Sequence, residues 1–96
     1  FDAIAVATRP SARPRAGAVA RWQAALAPIV TNLRHVSVRL ADDFARKLLP
    51  MCDGTRSVAD LAVATRDAAP AAEAAQPQAA VERRLAQFAS AALLEA

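Results

Sequence analysis

Between Arg15 and Ala27, the large apolar residues Val19, Trp22 and Leu26 fall at i, i+3 and i+7. That spacing predicts a helix with the three side chains on one face, turned to the core, and Pro28 ends it. Pro14 suits the first helical position. Before it, Thr8–Pro14 holds two prolines and two arginines and reads as a loop, while Ile4 and Val6 suit a brief extended segment. After Pro28 the period changes. Val36, Val38 and Leu40 alternate with Ser37 and Arg39, which predicts a half-buried strand over 34–40.

Asp42 or Asp43 then caps a helix with Phe44, Leu48 and Met51 on one face. Pro50 disturbs its last turn, and Gly54 supplies the stop. Ser57 and Asp60 have capping-box spacing and open a helix with Val58, Leu61 and Ala62 inward, running to about Thr65. Residues 67–80 hold eight alanines, Pro70, Pro77 and no large apolar side chain, so a flexible linker is expected there. From about Gln78 to Ala91, Val81, Leu85 and Phe88 define the inner face of a last helix. Leu93 and Leu94 begin a short extended segment. The expected fold is mainly α (α+β): winged-helix-like, with about four helices and two or three short strands, in one domain over 1–96.

Composition adjusts this picture in one respect. Hydrophobic residues make up 55% of the 96, but 28 of them are alanine, a good helix former with little surface to bury. A small core enclosed by helices follows, and two glycines without tyrosine argue against a many-turned β-sandwich. Phe1 in place of a methionine predicts that the chain is cut from a longer protein. No apolar run has the length of a membrane helix, and nothing at the start resembles a signal peptide. The +3 net charge is uneven: six arginines and Asp2 in residues 1–40, eight acidic and six basic side chains thereafter. The basic part reads first as a solvated face and second as a surface for an acidic partner.

Candidate chemistry is sparse. The lone cysteine, Cys52, and the lone histidine, His35, form no metal set, and no metal site is expected. Cys52 is expected to be a buried hydrophobe. His35, set on the strand, is expected to serve as a hydrogen-bonding residue rather than a base. Asp42 and Asp43 suit a helix start, and Asp53 suits its turn. Trp22 belongs to the core stripe, with a second reading as a partner anchor. Arg83 and Arg84 stand on the last helix, where a winged helix would read DNA. Glu82 beside them, and the long break before that helix, disfavour nucleic acid.

Three stretches taken together resemble one family: Arg21-Trp22-Gln23-Ala24, Val30-Thr31-Asn32-Leu33-Arg34-His35, and Phe44-Ala45-Arg46-Lys47-Leu48-Leu49-Pro50 with Asp53-Gly54-Thr55-Arg56. They look like the C-terminal winged-helix domain of bacterial class I methyltransferases of the protein-lysine type, which use S-adenosylmethionine (SAM). The resemblance implies that an upstream catalytic domain holds the SAM and that this chain is not itself an enzyme. Two glycines cannot form a glycine-rich nucleotide turn, so neither a cofactor nor a catalytic residue is assigned here. It further implies a cytoplasmic, regulatory or protein-interaction module. Its partners would be its own catalytic domain and a protein substrate, with no membrane, and its oligomeric state is left open. The expected working surface comprises Arg15, Trp22, Arg34, His35 and Arg39. A rival reading is a peptide binder that adds a strand to the edge of 34–40. A DNA-binding module ranks third.

Overall fold

The computed structural model describes residues 6–95; Ile4, expected to be extended, lies outside them. Helix α1 covers Ala18–Leu26, followed by strands β1 (Ile29–Thr31) and β2 (Ser37–Arg39). Helices α2 (Asp43–Met51) and α3 (Val58–Ala64), a 3-10 turn at Arg66–Ala68 and helix α4 (Pro77–Ser90) complete the order. Four helices and a two-stranded antiparallel sheet make an α+β fold compatible with a winged helix.

Helix α1 begins three residues later than Arg15, where the stripe had placed it, because Arg15 and Ala16 are drawn into backbone pairing with distant chain. Arg15 bridges Asp53, and Ala16 bridges Leu94. Ala16 N–H donates to the Cys52 carbonyl at 2.7 Å, Gly17 N–H to Leu93 at 3.1 Å, and Glu95 N–H to Arg15 at 2.7 Å. Val6 adds a further bridge to Glu95. Residues 14–17 are thus threaded between the turn after α2 and the segment after α4, a junction that no local pattern encodes. Gly54 closes the turn at φ 86°, a backbone conformation in which a side chain is strained.

The expected single strand over 34–40 is instead the second arm of a hairpin. Ile29, Val30 and Thr31 pair with Arg39, Val38 and Ser37. The Asn32 carboxamide oxygen accepts from the Arg34 and Val36 N–H groups, both at 2.9 Å, and curls the intervening residues into a turn. His35 sits in that turn at φ 62° rather than on a strand, in the left-handed region that histidine tolerates better than most residues. The expectation that His35 lies on the strand is thereby corrected. Of the alternating set, Leu40 is buried, Val38 half-buried and Val36 exposed.

The other elements follow their patterns. The Asp42 carboxylate accepts from Ala45 N–H at the start of α2, and Ser57 and Asp60 complete a capping box on α3. Phe44, Leu48, Leu49, Leu61, Val81, Leu85 and Phe88 form the core with Leu93 and Leu94 behind them. Helix α2 runs through Pro50 to Met51, its ladder short of one donor there. Residues 69–76 form turns without a helix, and Ala68 and Ala69 pack against the core.

Candidate interaction surface

Helix α1 is inverted. Its buried residues are Ala20 and Ala24, whereas Val19, Trp22 and Leu26 are 59%, 66% and 65% exposed. The three large side chains occupy a face about 150° around the helix from the two alanines, by the 100° step per residue. This corrects the expectation that Val19, Trp22 and Leu26 are core. Small side chains let α1 lie close against its neighbours, so the alanine side was the one folded inward. Ala27 and Pro28 join Leu26 to Ile29, which starts β1 and is 50% exposed. Gln23 links the two elements: its amide donates to Thr31 Oγ1 at 3.2 Å, and its carbonyl accepts from Thr31 N–H at 2.5 Å.

The other expected surface residues divide between two places. Arg39, on β2, stands directly opposite Ile29 and is exposed, so it borders the apolar run. Arg34 and His35 are exposed in the hairpin turn. Arg15 is exposed but belongs to the terminal junction, with its Nε 3.7 Å from a Glu95 carboxylate oxygen. Trp22 thus stands on the exposed face of α1, Arg39 on β2 opposite Ile29, and Arg15 in the terminal junction.

One polar cluster was not foreseen. Arg84 is 7% exposed, in the interior. Its two terminal nitrogens meet the two Asp42 oxygens at 3.0 and 2.7 Å, and one of them also meets Glu73 at 2.9 Å. Its guanidinium carbon lies 5.1 Å from the centre of the Phe44 ring. Arg83 Nη2 stands 4.0 Å from Glu73. Both arginines that a DNA reader would present on α4 thus face acids, one of them from inside. The sequence held the signal: positions 81, 84, 85 and 88 share one helical face. The three charges are paired and hydrogen-bonded, an arrangement that fixes α2, α4 and the 69–76 turns together rather than one poised for proton transfer.

Cys52 is fully buried and its thiol donates to the Leu48 carbonyl at 3.4 Å. Burial, helped by Asp53, pushes the thiol up to about 12. The thiolate is the reacting form, so Cys52 should resist iodoacetamide at pH 8 until the chain is unfolded, a difference that mass spectrometry reads directly. Asp53 is occupied in its turn: Thr55 donates to it through both hydroxyl and N–H, and Arg56 pairs with it at 3.0 Å. Among the described residues no group of three histidine, cysteine or acidic side chains is arranged to hold a metal ion. No described helix is long and apolar enough to cross a membrane.

Four helices with a short antiparallel hairpin, and a large apolar face turned to solvent, are compatible with a winged-helix fold. The family model of the PKMT (protein lysine methyltransferase) C-terminal winged helix domain matches residues 12–93, and the chain belongs to that family. No curated protein matches the chain.

Proposed function

We propose that this domain docks on the catalytic domain of a protein lysine methyltransferase through Val19, Trp22, Leu26 and Ile29, with Arg39 at the rim. The inverted helix carries the reading: three large apolar side chains at least half exposed on one face of a helix whose buried residues are Ala20 and Ala24, followed in the chain by Ile29, also half exposed, on β1. Exposed apolar residues scattered singly need no explanation, but a contiguous run bordered by a cation is the composition of an interface. Family membership supplies the partner. SAM and the methyl acceptor would then belong to the catalytic domain, and this domain would position that domain or the protein substrate.

The test is binding in trans between this chain and the separately expressed catalytic region of the gene product that contains it, followed by calorimetry. Trp22→Asp and Leu26→Asp should each weaken the complex by about 2 kcal/mol or more, the size of an interface hot spot, without lowering the melting temperature of the free domain. Unchanged affinity in both variants removes the docking role from this face. Loss of substrate labelling with SAM binding intact, in the full-length protein carrying the same variants, would assign substrate presentation to it.

A further inference from the structure

The hairpin has one free edge. Residues 28, 30 and 32 form the hydrogen-bonded positions of the ladder with 40, 38 and 36, as the bonds from Leu40 N–H to Pro28 and from Asn32 N–H to Val36 require. The N–H and C=O groups of Ile29, Thr31, Ser37 and Arg39 therefore point away from the partner strand. On β1 that outer side is partly covered: Thr31 N–H is taken by Gln23 and, just past the strand, Leu33 N–H by Ala92. On β2, among the described residues, no group takes the Ser37 or Arg39 N–H. Beside this strand lies a groove of about 160 Å³, lined by Val38, Leu40, Ala45, Phe88, Ala91 and Leu93, among others. An apolar cavity of about 150 Å³ accommodates a benzene-sized group.

We infer that the free edge of β2 and this groove take up an extended polypeptide segment in which aliphatic and acidic residues alternate. A strand added to β2 places alternate side chains on opposite faces. On the inner face its side chains would fall beside Val38 and enter the groove. On the outer face they would fall beside Arg39, whose guanidinium has no ion-pair partner among the described residues; nor has that of Arg34 in the adjoining turn. No acidic side chain lines the groove. The edge supplies backbone bonds, the groove selects an aliphatic side chain, and the arginine selects an acid. This site shares Arg39 with the rim of the α1 face but not its apolar side chains, so Trp22→Asp and Leu26→Asp, which leave the β2 edge intact, separate failure of one assignment from failure of the other.

The probe is a seven-residue peptide of alternating valine and glutamate, acetylated and amidated, titrated into the 15N-labelled chain. Saturable amide shifts centred on Ser37, Val38 and Arg39, with slowed hydrogen exchange at Ser37 and Arg39, are expected. The valine–lysine counterpart should bind about fivefold more weakly, the scale of a cross-strand charge pair, and Arg39→Glu should reverse the order. Methylation of the peptide nitrogens that face the strand should abolish the shifts. Shifts confined to α1, equal binding of both peptides, or no saturable change would each overturn the inference. So would sedimentation showing that the chain alone pairs through this edge, since a second copy would then be the occupant.

Discussion

Phe44→Ala should destabilise the domain by about 3–5 kcal/mol, the range for removing a buried phenylalanine, whereas Trp22→Ala should change stability by less than about 0.5 kcal/mol. Trp22 is the larger side chain, so the order is set by position alone. Phe44 is 1% exposed and touches solvent almost nowhere. Its loss leaves a cavity beneath α2 and removes the ring against which the Arg84 guanidinium rests. Trp22 is two-thirds exposed and loses little that folding gained. A domain of this size is stable by roughly 5–15 kcal/mol, so the Phe44 variant should be close to unfolding at 37 °C. Urea denaturation followed by circular dichroism measures both; Phe44→Leu supplies a folded intermediate case with a smaller loss. A cost above about 2 kcal/mol for Trp22→Ala would mean that the α1 face is packed in solution, and the docking reading would fall with it.

The same contrast explains what could be read from the chain. In α2 and α4 the large apolar residues and the buried face coincide, because nothing else on those helices is suited to burial; on α3 Leu61 is buried as its spacing predicts, while Val63 is exposed. In α1 two faces are apolar. Periodicity reports a stripe but not which of two stripes faces inward, and the large side chains made the wrong one look internal. The deciding facts are distant: Ala16 and Gly17 are held by Cys52 and Leu93, so the helix they lead into approaches the core along its alanines. The hairpin was half legible. Alternation places Leu40 and Val38 correctly, but the turn before them depends on the Asn32 side chain closing on its own backbone, which alternation does not report. Gln23 ties α1 to β1 through Thr31, a contact across eight residues that no motif announces. The helical phase of Arg84 puts it on the inner face with Val81, Leu85 and Phe88, although arginine is rarely buried.

Asp42 is the residue through which that buried arginine is made tolerable, and Asp42→Ala should cost about 2–3 kcal/mol at pH 7. About 1 kcal/mol of this is the lost cap on α2 and the rest the charge-assisted bonds to Arg84. The Asp42 side chain is 35% exposed and Glu73 remains in contact with Arg84, so the pair term belongs at the low end of its range. Asp42→Asn keeps a good capping oxygen and loses only the charge, so about half the cost is expected. The pH dependence distinguishes the two roles. Burial raises the Asp42 carboxyl, but the Ala45 N–H and Arg84 outweigh it and hold the group below its ordinary value. A carboxyl lowered on folding contributes stability that is complete above its unfolded pKa of about 4 and disappears as pH falls through the folded value. The native domain should therefore lose stability steadily below about pH 5, and both Asp42 variants should show a shallower acid limb. The limb will not vanish, because Thr55 and Arg56 hold Asp53 below its ordinary value in the same way. Identical acid limbs in native and Asp42→Asn proteins would mean that Arg84 is balanced by Glu73 alone. In that case the 69–76 turns, not the start of α2, would be what keeps a cation inside this domain, and Glu73→Gln would then become the costly change.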